Sequence, residues 1–359
     1  MNTTRKNSLP AMPRQTRRIA IVGAGIAGIS CARTLAQAGH EVVVFEKSRS
    51  CGGRMATRQT NFGSFDHGAQ YFTVRDTRFA LALQTAPGLC KPWSANTVQL
   101  LDAFGRVASI LKPTTQPHWV PSPGMNALVQ HWAAPLAQQI ELNTQVTRIE
   151  RDAVHPHAWQ LRTRGADDSQ LVYSGFDAVL LALPSVQAQQ LLSGSAVAPQ
   201  LASQLDAVQV APCWTLMLAF PQALQANLSH LGPQWNAARS THHRIAWVAR
   251  ESSKPGRERI ERWTVQASAA WSQEHLEDDA LRVQAKLLKA FAEVTGIRAE
   301  PSHALAHRWR YAQTLQALGR SHLWDASQGI GICGDFCLGR RVEDAFVSGL
   351  ELALKVASN

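Results

Sequence analysis

The chain has 359 residues, 45% hydrophobic and only 17% charged, with 36 Lys and Arg against 26 Asp and Glu and a formal charge of +10. That apolar content excludes a disordered chain, and the length is enough to bury a core without disulfide staples and suggests two domains or one domain interrupted by another. Arg5, Lys6, Arg14, Arg17 and Arg18 account for half of the positive excess within a short Pro-containing tail that has no interleaved aromatic residues, so a nucleic-acid or anionic-membrane binder is not implied.

Arg17-Arg18, the apolar run Ile19 to Ala32 and Ala36-Gln37-Ala38 together have the outline of an export signal. Three glycines inside the run argue instead for a strand, a turn and a helix, and cleavage after Ala38 would cut that unit apart. The expectation is a cytoplasmic protein. No charge-free, glycine-free run of 18 apolar residues suggests a membrane span.

Residues 18–22 read as a strand, followed by a helix to about Ala38 and a second strand over 41–46, whose unbroken β-branched run indicates burial on both faces in a parallel sheet. A hairpin is expected over 97–110 around Phe104-Gly105. Pro121 to Gly124 forms a turn into a helix from Met125 to about Ala134. Short strands follow at 139–143, 146–151 and 159–163, then an apolar strand at 177–183 that Pro184 stops, with a helix from Ser185. Strands at 208–219, 244–250 and 260–267 are rich in Trp and β-branched residues. A helix over 277–294, a closing strand over 329–335 and an amphipathic helix over 342–356 complete the chain.

Gly23-Ala24-Gly25-Ile26-Ala27-Gly28 is a G-x-G-x-x-G sequence between the first strand and helix. Gly23 makes the tight turn, Gly25 lets the backbone approach a pyrophosphate, and Gly28 lets the helix pack closely on the strand. Phosphates there meet free N–H groups and the positive end of the helix dipole. Glu46, at the end of the second strand, is placed to accept from both adenosine ribose hydroxyls and to repel a 2′-phosphate, which favours FAD or NAD over NADP. Gly52-Gly53-Arg54 brings a guanidinium to the pyrophosphate. Asp335 is placed for ribityl hydroxyls, and the helix starting at Val342 directs its dipole at the flavin edge. Noncovalent FAD is therefore the expected cofactor.

The expected fold is α/β: a Rossmann-type FAD-binding domain built from 18–75, 121–198 and 305–359, with a mostly antiparallel substrate domain (76–120 and 199–304) inserted, behind a flexible tail over 1–17. Six scattered cysteines read as buried free thiols. With thirteen histidines lacking ligand spacing, no metal site is expected.

Several stretches resemble the flavin amine-oxidase superfamily, an amine oxidase or p-hydroxybenzoate hydroxylase-like fold, and within it the renalase-like proteins of bacteria. They are Gly52 to Arg58, Phe65 to Thr73, Pro123 to Asn126, Trp247 to Arg257 with its Ser-Lys-Pro-Gly-Arg ending, His307 to Ala312, and Gly334 to Gly349. The resemblance implies FAD contacts by Gly23, Ala24, Gly25, Ala27, Gly28, Glu46, Lys47, Gly53, Arg54, Ala69, Gln70, Asp335 and Val342, with Val146 pairing its backbone with adenine. It implies an oxidase that turns off-pathway dihydro-NAD(P) isomers into NAD(P)+, with O2 as acceptor and hydrogen peroxide as product. Candidate substrate residues are Gln70, Tyr71, Thr73, Trp214, Trp247 and Trp309. Lys254 and Arg257 either attract a substrate phosphate or form a solvated turn.

Departures from neighbouring families narrow the reading. The chain has no C-x-x-x-x-C after the second strand, no Asp-Gly dipeptide, no Cys beside Trp309-Arg310-Tyr311, and no Lys over 208–219, where Trp214 sits near the position of an amine-oxidase Lys. No catalytic side chain is assigned with certainty, because loss of hydride from a dihydronicotinamide creates an aromatic cation and positioning suffices. An amine oxidase or desaturase with another substrate, and a flavin-binding redox module without turnover, are the alternatives.

Overall fold

The computed structural model describes residues 16–93, 99–110, 116–224 and 235–358. The basic tail expected over 1–17 lies outside these residues except for Thr16 and Arg17, as do positions 97 and 98 of the expected hairpin. In chain order the framing elements begin with β1 (Arg18–Val22), α1 (Ile26–Gln37), β2 (Glu41–Phe45), β3 (Thr144–Arg151), β4 (Ala178–Leu181) and β5 (Gln209–Phe220). They continue with β6 (Ala237–Ser240), β7 (Ile245–Arg250), β8 (Glu261–Ala267), α2 (Ala280–Thr295), β9 (His303–Gln316), β10 (Ile330–Ile332) and α3 (Val342–Ala357).

A six-stranded sheet runs in the order Leu323–Asp325, β10, β4, β1, β2, Ile140–Glu141. Its inner neighbours are parallel, and its strands are apolar on both faces because both are covered. Ile19, Ile21, Val42 and Val44 pack under α1 and α3, whereas Ala20, Val22 and Phe45 pack under Leu191, Leu192 and a three-stranded sheet containing β3. The two covering helices touch closely. A Cβ on Gly349 of α3 would lie 2.1 Å from the carbonyl oxygen of Ala27.

The second layer is a seven-stranded sheet ordered β9, β5, β8, β7, β6, Gln99–Leu101, Val107–Ile110. Strict alternation divides its faces. Leu216, Leu218, Trp263 and Val265 pack under α2, while Met217 and Ala219 meet Phe65 of the Rossmann layer. The hairpin around Phe104-Gly105 forms the far edge of this sheet. Among the described residues no helix is long and apolar enough to cross a membrane.

Three expectations shift. The segment 305–359 was expected to belong wholly to the nucleotide-binding domain, but its first part lies in β9, an edge strand paired with β5 through ten residue pairs. Its Arg and His residues hide the strand pattern, and the ladder supplies its order. Residues 199–204, expected in the substrate domain, form a helix whose Leu201 and Ala202 join the Rossmann-side core. The closing strand ends at Ile332, not Asp335, because Asp335 opens a four-residue helix. A further strand, Gln170–Phe176, has mostly exposed side chains and so carries no apolar pattern to announce it.

Candidate functional site

The loop between β1 and α1 forms a bare backbone cradle. Gly23 has φ +108°, donates its N–H to Phe45 O at 2.8 Å, and leaves no room for a side chain, since a Cβ would sit 2.5 Å from Ala182 O. A Cβ on Gly28 would lie 1.9 Å from Gly23 O, so only glycine lets the helix close on the turn. The first helical bond runs from Ile29 N–H to Gly25 O. The N–H groups of Ile26, Ala27 and Gly28 thus precede the ladder, with no acidic side chain in that turn. Gly53, at φ +54°, brings a second loop against the first, and its Cβ would be 3.1 Å from Gly25 Cα.

Glu46 is buried and accepts the N–H of Ala24 at 2.9 Å on one oxygen and that of Ser48 at 2.8 Å on the other. A carboxylate has about four acceptor positions, so ribose hydroxyls remain accommodated. Lys47, beside it, is exposed. Thr144 donates its N–H to Glu46 O, and Val146 lies two residues on along the same edge of β3. Arg54 and Asp335 form a two-bonded ion pair, at 2.5 and 3.0 Å, to which Thr314 adds a hydroxyl at 3.2 Å. At the start of α3, Asp344 accepts the N–H groups of Arg340 and Arg341, with Val342 as the first helical residue. The glycine cradle, the helix N-terminus, the buried Glu46 carboxylate and the Arg54–Asp335 pair are groups that fit a dinucleotide.

The adjoining face of the seven-stranded sheet is joined to this cradle by hydrogen bonds. Gln266 donates to Gly68 O at 2.7 Å, Trp309 donates to His67 O at 2.9 Å, and Ala69 donates its N–H to Arg54 O at 2.8 Å. Register pairs Arg239 with Trp247, Trp247 with Gln266, Gln266 with Thr215, and Thr215 with His307, so one row of side chains crosses five strands. Tyr71 closes over this row, its ring centroid 5.8 Å from Trp247 and 3.9 Å from His118. Thr73 is half-buried in the same extended segment. The indole N–H of Trp247 is buried with no acceptor among the described residues.

Trp214 does not belong to this face. One residue out of phase with Thr215, it points into the α2-covered core, donates its indole N–H to His275 O at 2.9 Å, and lies under the Arg308 guanidinium. Gln70 is close to the face but committed locally. Its amide nitrogen donates to Asp66 O and Gly68 O, and its oxygen accepts from Lys254 at 3.3 Å.

Lys254 and Arg257 form neither a solvated turn nor a phosphate clamp: both side chains have no exposure and both meet Asp66, at 3.1 and 2.7 Å. Lys254 also pairs with Glu251 at 3.0 Å. The other oxygen of Asp66 accepts the Thr57 hydroxyl at 2.7 Å and the Met125 N–H at 2.8 Å. Burial alone would push the Asp66 carboxyl up, but Lys254 and Arg257 outweigh it and hold it well below the usual carboxylate range. Glu251 is pushed up by burial, with Lys254 opposing.

His67 and His307 were not singled out from sequence. The His67 ring stacks on Trp309 with centroids 5.2 Å apart and meets His307 edge-on at 4.8 Å. Burial, then His307 and Arg58, pull His67 down to about 4; burial and Arg58 do the same to His307. Both rings are therefore neutral at pH 7. Among the described residues no group of three or more His, Cys, Asp or Glu is placed to hold a metal.

A family model described as flavin containing amine oxidoreductase matches residues 102–357, and one described as an NAD(P)-binding Rossmann-like domain matches 21–82. The 4,4'-diapophytoene desaturase (4,4'-diaponeurosporene-forming) of Staphylococcus haemolyticus (strain JCSC1435) is 43% identical over 58 residues, 16% of this chain. The match spans only 12% of that relative's own length. Among solved structures, a candidate protoporphyrinogen oxidase from Exiguobacterium sp. 255-15 superposes with a TM-score of 0.72 at 15% identity, over 96% of this chain and 99% of that one. Wild-type putrescine oxidase bound to putrescine gives 0.68 at 13% identity, over 97% and 100%. At these identities the two structures bear on the fold alone.

Proposed function

Because the chain belongs to the flavin containing amine oxidoreductase family and takes FAD as its cofactor, we propose that it is a renalase-like oxidase of off-pathway dihydro-NAD(P) isomers. The overall conversion balances as dihydro-NAD(P) plus O2 and one proton giving NAD(P)+ and hydrogen peroxide. Bound FAD supplies the two-electron acceptor. The chain's own part is to hold a flat ring in place, keep water away from it and impose no opposing charge.

The observation that supports this reading is the uncharged centre of the sheet face. Trp247, Gln266, Thr215 and His307 occupy the row that faces the Rossmann layer, and β5 carries no Lys. Tyr71 and Trp247 offer aromatic surfaces for a nicotinamide ring. His67 and His307, kept neutral by burial beside Arg58, add no further positive charge to this face. The nearby Lys254 is withdrawn into its pairs with Asp66 and Glu251. A substrate that loses hydride to become aromatic needs no base from this face, only orientation.

The test is anaerobic rapid mixing of the FAD-loaded protein with 2- and 6-dihydro-NAD(P), with ordinary 4-dihydro-NAD(P)H and with a panel of amines. Bleaching of the yellow colour by a 2- or 6-dihydro isomer, followed by one peroxide per substrate once air is admitted, is the expected result. Bleaching by amines alone refutes the reading.

A further inference from the structure

One member of the substrate-face row differs from the rest. Arg239 is exposed, whereas Ala237, two residues earlier on the same face of β6, is fully buried with Phe72, Trp93 and Trp247. The strand therefore runs from the core to the surface, and Arg239 stands at the exposed end of the row beside Trp247, its register partner. On its other side the neighbouring strand offers Leu100, which cannot pair with a charge. Among the described residues no carboxylate makes an ion pair with Arg239. The His118 ring, tilted against Tyr71, lies within electrostatic reach of Arg239; burial and then this guanidinium pull its pKa down.

We propose that Arg239 is the anion-recognition residue of this site, taking the pyrophosphate of a dinucleotide substrate whose ring rests against Trp247 and Tyr71. The proposal rests on the dihydronicotinamide reading and sharpens it. Strands lie about 4.8 Å apart, so Arg239 is rooted about 10 Å along the row from Gln266, a gap that a ribose phosphate bridges. The planar guanidinium suits two phosphate oxygens. A cationic amine arriving at the same end of the row would be repelled, so this residue also selects against the substrates after which the family is named.

The test compares the wild-type and Arg239→Gln proteins, both loaded with FAD. In turnover, the preference in kcat/KM for 6-dihydro-NAD over the uncharged 1-methyl-1,6-dihydronicotinamide falls about tenfold or more in the variant, the size expected for one charge-assisted contact. Independently of turnover, calorimetric titration with ADP-ribose gives about tenfold weaker binding to Arg239→Gln, with part of the affinity returned by Arg239→Lys. Equal ADP-ribose affinity in wild type and variant, or no binding to wild type, overturns the proposal. If binding weakens in Arg239→Gln but no dihydronicotinamide is oxidised by wild type, the anion site stands and the substrate reading falls. If wild type oxidises the isomers and the variant keeps both its preference and its affinity, the substrate reading stands and the role of Arg239 falls.

Discussion

Replacing Lys254 with Met provides a stringent test of the buried network. The ammonium lies 3.0 Å from Glu251, 3.1 Å from Asp66 and 3.3 Å from the Gln70 oxygen, with no exposure. Its removal leaves Asp66 with Arg257 as its paired cation beside the Thr57 hydroxyl and the Met125 N–H, and Glu251 with the Thr264 hydroxyl at 2.7 Å. Breaking a buried pair from one side costs about 3–5 kcal/mol. At roughly 2.1 cal/mol/K per residue, a chain of this length has an unfolding entropy near 0.75 kcal/mol/K, so Tm falls by about 4–7 °C. The loss grows with pH. Without Lys254 the folded-state pKa of Glu251, already raised by burial, moves further above its unfolded value. Stability then declines as pH rises from the unfolded value toward the folded one. Thermal unfolding of the FAD-loaded protein at pH 5 and pH 8 reads both effects, and Lys254→Met/Glu251→Gln recovers part of the loss at pH 8. A Tm within 1 °C of wild type at both pH values refutes the charged network.

Other outcomes follow from the same geometry. Gly28→Ala meets the Gly23 carbonyl at 1.9 Å and is purified largely free of flavin, read from the 450 nm to 280 nm absorbance ratio. Trp214→Phe lowers Tm through a lost hydrogen bond and altered packing in the α2-covered core but leaves kcat/KM unchanged, because the side chain lies behind the reacting face. His67 and His307 titrate near 4 when folded and near 6.5 when unfolded. Between those values the unfolded chain binds more protons, so stability is full above about pH 6.5 and is lost as pH falls to about 4, by roughly 3 kcal/mol for His67. His67→Gln flattens that limb in denaturant titrations, and an unchanged slope contradicts the assignment.

The nucleotide cradle was legible because its geometry is local. A turn, a close approach and a helix start fall within the six residues from Gly23, and Glu46 follows at the end of the next buried strand. The substrate face was not legible in the same way. Choosing between Trp214 and Thr215 depends on which parity of β5 faces inward, and a one-residue change of phase exchanges every side chain. Both faces of this strand are buried, so composition cannot decide. The Asp66–Lys254 pair joins positions 188 residues apart, and local sequence gives Lys254 the look of a solvated turn because Ser, Pro and Gly surround it. Strand β9 was hidden by its polar residues, although its partner strand was recognised.

Asp66 has a consequence for motion. One carboxylate, without exposure, receives Thr57 from the strand paired with its own, Met125 from just ahead of the helix over Ala127–Ala133, and Lys254 and Arg257 from the turn between β7 and β8. Three stretches of chain far apart in sequence are pinned at a single point on the seam between the layers. A hinge needs a seam whose contacts slide, and a four-bonded buried ion does not slide. Sliding one layer over the other at this seam would have to break those four bonds in a place without water to replace them, so the Asp66 cluster opposes hinge motion there.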